Sequence, residues 1–152
     1  MNQYLLAFMV EPLGDEPFST WPLHITLVPW FSSDNEAELI ESLESDIAKL
    51  KGLEAIIGRK TWFGYDLPVR LMEPKTELQR LHNALVFAVK RAGGELRAKT
   101  YIGVRYTPHI TVRGQRTIEG GHKLIITKLA LVKNLSDQPQ LRQKVAEFKL
   151  YH

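Results

Sequence analysis

Two short segments of the sequence share an order of residues that suits acid–base chemistry. The first reads PLHITLVP over residues 22–29, and the second reads TPHITVRG over residues 107–114. In both, a histidine stands two residues before a threonine, an isoleucine lies between them, and a proline precedes the histidine. Side chains alternate along a strand, so each His–Thr pair would share one face while the apolar residues pack behind it. Chance explains one such triplet more easily than two matching copies.

Two histidines that face one another can move protons on two sides of one reacting group. Imidazole has an ordinary pKa of about 6.5, so near neutral pH one ring can be neutral while the other is protonated. If His24 and His109 lie together, the neutral ring can take a proton from a nucleophile and the cationic ring can donate one to a leaving group. The hydroxyls of Thr26 and Thr111 can donate hydrogen bonds to oxygens that gain charge. This layout fits metal-free, in-line displacement at phosphorus.

The composition removes several other kinds of chemistry. The chain has 152 residues, 44% of them hydrophobic and 24% charged, as in an ordinary globular protein. It has no cysteine, which excludes disulfides, thiolate zinc sites and thiol catalysis. No His/Asp/Glu cluster has metal-ligand spacing and no glycine-rich phosphate loop occurs, so we expect no metal and no cofactor. The apolar residues 4–10 lack a basic leader and the length of a membrane span, which predicts a buried strand in a cytoplasmic protein. We also expect a monomer.

Charge is distributed unevenly along the chain. Residues 1–96 contain 9 Lys and Arg against 14 Asp and Glu, whereas residues 97–152 contain 11 against 3. A basic half suits a partner that carries phosphate. A solvated surface of an alkaline protein is an equally good reading of the charge alone.

The elements that must position these residues follow from periodicity and turn signals. A capping box at residues 33–36 predicts the start of the first helix, and two consecutive glycines predict the end of the second. We predict helices over 34–51 and 75–91. We predict strands over 3–10, 23–30, 54–64, 67–73, 99–104, 108–113, 122–133 and 141–151.

This order predicts an α+β fold in which each half of the chain supplies one helix and one His-Ile-Thr strand. We expect a single domain over residues 1–152, built as a duplicated, bilobal structure of two pseudo-symmetric lobes. Two mostly antiparallel sheets would surround a central cleft, with the helices outside.

The paired His-x-Thr-apolar strands, some eighty to ninety residues apart, resemble the 2H phosphoesterase superfamily. That superfamily includes RNA 2′,3′-cyclic phosphodiesterases and 2′-5′ RNA ligases, and the resemblance extends over nearly the whole chain. It implies a bilobal fold with both motifs in a central cleft and metal-free chemistry on cyclic or 2′-5′ phosphodiesters. It also implies that His24 and His109 are the acid–base pair and that Thr26 and Thr111 bind phosphate.

The chain departs from the family pattern after each motif. Pro29-Trp30-Phe31 follows the first motif, where many relatives have Phe-Leu-Gly. Many relatives carry an arginine five residues after the second histidine, but here Arg113 is four residues after His109. The even spacing puts Arg113 on the His109 face of the strand, and it is a further phosphate-binding candidate.

Aromatic residues near the motifs are candidates to stack a nucleobase. Phe63 and Tyr65 flank a glycine in a predicted turn, and Tyr106 stands just before the second motif, so these three are favoured. Trp30, Phe31, Trp62 and Tyr101 belong to a wider set whose members are more often core residues. The same applies to His82, which falls on the apolar stripe of the second predicted helix.

The sequence thus predicts an enzyme that opens 2′,3′-cyclic phosphates at RNA ends or on nucleotides. Run in reverse with a ribose hydroxyl as nucleophile, the same site would be a 2′-5′ RNA ligase. A non-catalytic RNA- or nucleotide-binding module is the alternative of another class. Two retained His–Thr pairs favour the enzyme, because binding alone needs charge but no proton-transfer groups.

Overall fold

The strands and helices of the chain follow closely from its apolar periodicity. The computed structural model describes residues 1–97, 101–112, 118–135 and 140–152. Its helices are α1 (Glu36–Ile47) and α2 (Lys75–Arg91). Its strands are β1 (Asn2–Met9), β2 (His24–Ser33), β3 (Leu53–Phe63), β4 (Leu67–Glu73), β5 (Glu95–Leu96), β6 (His109–Thr111), β7 (Lys123–Ile126), β8 (Lys128–Asn134) and β9 (Arg142–Lys149).

Within the described ranges, these strands form one hydrogen-bonded sheet in the order β7-β3-β4-β6-β2-β1-β8-β9, with β5 paired to β2. Neighbouring strands in this order run antiparallel. The predicted α+β class with mostly antiparallel pairing is confirmed. None of the helices in the described parts of the chain is both long and apolar enough to cross a membrane.

The sheet is strongly curled. Strands β7 and β8 lie six places apart in the sheet order, yet only Thr127 separates them in sequence. Backbone hydrogen bonds also join distant positions, from the Leu150 amide to the Thr127 carbonyl at 2.9 Å and from the Gly52 amide to the Tyr151 carbonyl at 2.7 Å. The ends of the sheet therefore approach each other.

The predicted arrangement of two duplicated sheets is not confirmed. The part of the sheet containing β7, β3, β4 and β6 joins the part containing β2, β1, β8 and β9 through the pairing of β6 with β2, at Ile25 and Ile110. The first part comes from the middle of the chain and the second from both ends, so the two parts do not correspond to sequence halves. Pairing between strands of different halves was not visible in the local pattern.

Helix α1 is shorter than predicted. Its N-cap is Asn35, whose side chain accepts a hydrogen bond from the Glu38 amide at 3.1 Å, so the helix begins after the predicted residue 34. It ends at Ile47 because the chain then tightens, with the Leu50 amide donating to the Ile47 carbonyl at 2.9 Å. Leu50 continues the apolar stripe but lies beyond the helix.

Helix α2 has the predicted bounds, and both helices pack on one apolar core. Gly93 adopts a φ of 86°, which lets the chain turn away after the last helical residue. The helices contact each other, α1 also contacts β9, and α2 contacts β2, β4 and β5. The main buried helix residues are Leu39, Leu43, Ile47, Leu78, Leu85 and Val89.

Two predicted strands differ from the structure. The described part of the strand predicted over 99–104 is irregular, and a 3₁₀ turn occupies Gly103–Arg105, with Gly103 at a φ of 68°. The single strand predicted over 122–133 divides at Thr127 into β7 and β8, which pair with different neighbours. The polar pair Thr127-Lys128 marks the division in the sequence, but the prediction treated both sides as one strand.

Candidate active site

The two His-Ile-Thr segments lie on adjacent antiparallel strands. Ile25 of β2 pairs with Ile110 of β6. This register puts His24 opposite Thr111 and Thr26 opposite His109, all on one face of the sheet. The two histidines are diagonal neighbours, which places their Cα atoms roughly 7–8 Å apart. The sheet therefore gathers two imidazoles and two hydroxyls into one small area.

The residues behind this face explain why the strands hold that register. Ile25 and Ile110 are fully buried, whereas the four polar side chains are half-buried. A slip of one residue would expose the isoleucines and bury the polar groups in the core. Strand β6 also pairs with β4, where Leu71 is the partner of His109.

Both imidazoles are held by the same local hydrogen bond. Nδ1 of His24 lies 2.9 Å from the carbonyl oxygen of Pro22, and Nδ1 of His109 lies 2.7 Å from that of Thr107. Since a carbonyl can only accept, Nδ1 of each ring carries the proton and donates it. The neutral form of each ring therefore has its lone pair on Nε2, and only its cation has a proton there.

The histidines line two adjoining cavities. His24 and Thr111 line one of about 200 Å³, and His109 lines one of about 850 Å³. Thr26 and Trp30 belong to the walls of both. Among the described residues that line the two cavities, none is acidic. We call the two cavities together the cleft, and its described lining suits an anion.

An aromatic ring packs against each imidazole. The Trp21 ring lies 4.2 Å from that of His24, measured between centroids and tilted by 30°. The Phe63 ring lies 4.7 Å from that of His109, nearly edge-on at 67°. These contacts restrict the imidazole orientations. Sequence reasoning did not identify Trp21 as a site residue. An aromatic residue stands three positions before each motif histidine, at Trp21 and Tyr106, and this repeat could have indicated it.

Burial lowers the pKa of His109, because desolvation disfavours its cation. The hydrogen bond to the Thr107 carbonyl acts in the opposite direction but is the smaller influence. In the unliganded protein His109 is therefore held toward its neutral form. A bound phosphate would counteract this, since a nearby negative charge favours the cation.

Tyr106 lines the cavity that contains His109, but little of its side chain is exposed there. Its side chain is buried, its ring stacks on that of His82 at 3.9 Å, and its hydroxyl donates to the backbone carbonyl of Thr26 at 2.9 Å. His82 is also buried and hydrogen-bonded at both nitrogens, to the Leu27 carbonyl at 2.6 Å and from the Gly103 amide at 3.0 Å. The Tyr106–His82 pair braces β2 against the segment before the second motif, and stacking of a base on Tyr106 stays a prediction.

The other predicted site residues have varied positions. Phe63 lines the cleft beside His109. Tyr65 is fully exposed in the turn after β3 and is not among the described lining residues. Arg113 lies outside the described residues, so its predicted phosphate contact stays a prediction. Arg105 is exposed and lines the cleft.

Metal-ligand geometry is missing from the described ranges. There, no group of three or more His, Cys, Asp or Glu side chains is placed to hold a metal ion. The expectation of metal-free chemistry rests on the paired imidazoles and stays a prediction that chelation tests.

Several solved structures share this fold. A crystal structure described as a phosphoesterase has a TM-score of 0.67 at 14% identity, covering 99% of each chain. LigT of E. coli in complex with 3′-AMP has a TM-score of 0.66 at 15% identity, again covering 99% of each chain. A Thermus thermophilus protein has a TM-score of 0.62 at 17% identity, covering 98% of this chain and 97% of its own.

Sequence comparison extends the likeness from fold to family. No curated protein sequence matches the chain significantly. The profile of the 2′-5′ RNA ligase superfamily, however, matches residues 9–152. This span includes both His-Ile-Thr segments and agrees with the resemblance that they carry. The chain belongs to the 2′-5′ RNA ligase superfamily, the 2H phosphoesterases.

Proposed function

We propose that the protein is a metal-independent phosphodiesterase that opens 2′,3′-cyclic phosphates at RNA ends or on nucleotides. The diagonal placement of His24 and His109 on paired strands is the observation that carries the proposal. Both rings have Nδ1 bonded to a backbone carbonyl, so each can exchange a proton only at Nε2. Two such groups on one face supply a base and an acid for displacement at phosphorus.

The reaction has one bond formed and one broken. The neutral imidazole takes a proton from water at its Nε2 as the water oxygen bonds to phosphorus. The bond from phosphorus to one ribose oxygen breaks, and the protonated imidazole donates its Nε2 proton to that oxygen. The products are a ribose hydroxyl and a phosphomonoester, and the exchange of protonation states between the rings is reversed through solvent.

The hydroxyls of Thr26 and Thr111 complete the phosphate site. They lie beside the histidines on the same face and can donate hydrogen bonds to the non-bridging phosphoryl oxygens. Arg113 lies outside the described residues, and we assign it the same role only from its sequence position, two residues after Thr111. The lack of acidic groups among the described lining residues favours an anionic ligand.

The relatives are consistent with this assignment. LigT of E. coli, which shares the fold, has been crystallised with 3′-AMP and with phosphate. 3′-AMP contains a phosphomonoester, the group that the proposed reaction produces, and phosphate is its inorganic counterpart. This supports placing a nucleotide phosphate between the two histidines of the present chain.

A 2′-5′ RNA ligase is the second candidate, favoured by the family to which the chain belongs. The same two imidazoles would then deprotonate a ribose hydroxyl and protonate a departing ribose oxygen. The arrangement of the two histidines suits hydrolysis and ligation equally. Which reaction occurs therefore depends on whether water or a ribose hydroxyl is the nucleophile.

The test is a substrate screen with purified protein in EDTA. The panel contains 2′,3′-cyclic mononucleotides, an RNA ending in a 2′,3′-cyclic phosphate and 2′-5′-linked dinucleotides. We expect opening of the cyclic phosphates to monoesters, with the His24→Ala protein as the inactive control. Binding of these compounds without turnover under any condition would favour the non-catalytic module.

A further inference from the structure

The outer rim of the cleft carries aromatic side chains that the proposed reaction does not use. Trp62 is 57% exposed and Tyr101 is 67% exposed, and both line the cavity that contains His109. Large aromatic side chains usually bury most of their surface. Exposed aromatic groups beside a binding cleft therefore indicate a surface with its own ligand.

Cations accompany these rings. The Lys60 ammonium lies 5.8 Å from the centroid of the Trp62 ring. Arg105 is exposed and lines the same cavity as Trp62 and Tyr101. The described lining of that cavity contains no acidic residue. Exposed rings beside unopposed positive charge are the combination that binds single-stranded nucleic acid, through base stacking and phosphate contacts.

We propose that Trp62, Tyr101, Lys60 and Arg105, together called the aromatic rim, bind the nucleotide that precedes the reactive end of an RNA strand. This inference rests on the proposed function and narrows its substrate to oligonucleotides. The terminal phosphate lies between His24 and His109, and the strand leaves the cleft across the rim.

Stacking on an exposed ring depends little on base identity, since every base has a π-face. The aromatic rim should therefore favour longer strands over mononucleotides without distinguishing their base sequence. Its phosphate contacts add a dependence on salt, because cations that neutralise phosphates release counterions on binding. A free cyclic mononucleotide has no preceding nucleotide and gains neither contribution.

The experiment compares two substrates that share their reactive nucleotide, 2′,3′-cyclic AMP and a short oligoadenylate ending in the same cyclic phosphate. We expect the wild type to have the higher kcat/KM on the oligonucleotide. Trp62→Ala should reduce the ratio of the two kcat/KM values by roughly 5- to 150-fold, the range of one base–aromatic stack. The loss should appear mainly in KM, because the contact forms before the reaction and persists through it.

Matched variants distinguish loss of the stacking contact from a nonspecific effect of the substitution on the protein. Trp62→Phe keeps a ring and should restore much of the ratio. Phe87→Ala removes an equally exposed aromatic group from α2, outside the described cleft lining, and should leave the ratio unchanged. Equal effects of Trp62→Ala on both substrates, or no effect on either, would overturn the proposal.

A measurement of oligonucleotide binding distinguishes failure of the aromatic rim from failure of the proposed phosphodiesterase function. If the wild type opens neither substrate, the proposed function fails. The rim is then tested by fluorescence anisotropy of a labelled oligoadenylate with a terminal 3′-phosphate. Weaker binding by Trp62→Ala, with Phe87→Ala unchanged, supports the rim. Equal binding by all variants, or tighter binding of 3′-AMP than of the oligonucleotide, contradicts it.

Discussion

At the scale of single residues, the chemistry of the site depends on the carbonyl beneath each imidazole. Pro22 and Thr107 each stand two residues before a histidine and accept its Nδ1 proton. The same tautomer therefore results at His24 and His109, although the accepting carbonyl belongs to a proline in one segment and to a threonine in the other. Nε2 is the position from which either ring takes or gives a proton.

Removal of either imidazole tests the acid–base roles. We expect His24→Ala and His109→Ala each to lower kcat for cyclic-phosphate opening by about 10²- to 10⁴-fold, the usual contribution of a general acid or base. Both side chains are half-buried and face the cleft, so the variants should still fold, as circular dichroism will check. His122→Ala changes an exposed histidine in a turn and serves as the matched control. Near wild-type turnover by both motif variants would refute the assignment.

The protonation of His109 is a second test at this scale. Burial lowers its pKa, so in an NMR titration of the free protein the His109 ring should change charge below the ordinary value of about 6.5. Inorganic phosphate should move the midpoint upward, since the anion favours the cation. A midpoint above the ordinary value without phosphate, or no response to phosphate, would contradict the site described here.

The sequence predicts the shared orientation of the motif residues well, but it does not predict which residues pack against them. Strand alternation is local, so the shared face of His24 and Thr26 follows from two-residue spacing. The contacts of Trp21 with His24 and of Tyr106 with His82 depend on the tertiary fold, which the periodicity of the sequence does not reveal. The periodicity therefore gave no sign that the Tyr106 ring stacks on His82.

At the scale of elements, α2 is braced to both motif segments through His82. Its Nδ1 reaches the Leu27 carbonyl of β2, and its Nε2 accepts from the Gly103 amide in the segment before β6. Because Nε2 accepts, the ring is neutral in the folded protein. Protonation would replace that acceptor by a donor and break the link to Gly103.

This brace predicts a dependence of stability on pH. Burial lowers the pKa of His82, so below about pH 6.5 the unfolded chain binds more protons than the folded one. The contribution of neutral His82 is fully present above that pH and is lost as pH falls toward its folded pKa. His109 acts in the same direction. In urea unfolding at pH 7.5 and 5.5 (about one unit on each side), we expect a smaller pH-dependent loss for His82→Gln than for the wild type.

Two controls accompany that measurement. His122→Gln should retain the wild-type loss, because this histidine is exposed. Tyr106→Phe removes the hydroxyl that donates to the Thr26 carbonyl and should cost about 0.5–1.5 kcal/mol at both pH values, the net contribution of a typical hydrogen bond. An identical pH dependence in His82→Gln and wild type would show that His82 does not titrate as described.

Element boundaries were predictable where the signal was local. The Leu78–Val89 stripe and the glycine pair fix α2 at its predicted bounds, 75–91. The segment predicted as a strand over 99–104 instead contains a turn at Gly103, whose positive φ and contact with His82 are tertiary features. Likewise the apolar segments on the two sides of Thr127-Lys128 belong to separate strands because they pair with different neighbours.

At the scale of the whole molecule, the site lies where two parts of one curled sheet meet. The β2–β6 pairing at Ile25 and Ile110 joins strands from the ends of the chain to strands from its middle. Each part contributes one histidine and one threonine. The separation of the two imidazoles is therefore set by this pairing and by the core behind it. Sequence reasoning anticipated two motifs in one cleft, but long-range pairing decided which strands flank them.

The central claim is that two imidazoles, without a metal, open a cyclic phosphate. The most direct measurement is the pH dependence of kcat/KM for a 2′,3′-cyclic-phosphate-ended RNA in the presence of EDTA. We predict a bell-shaped profile, because one ring must be neutral and the other protonated. The limb that reports the titration of His109 should have an apparent pKa below the ordinary value for histidine, because burial lowers the pKa of His109. Loss of activity in EDTA with recovery on adding Mg²⁺, Mn²⁺ or Zn²⁺ would contradict the account.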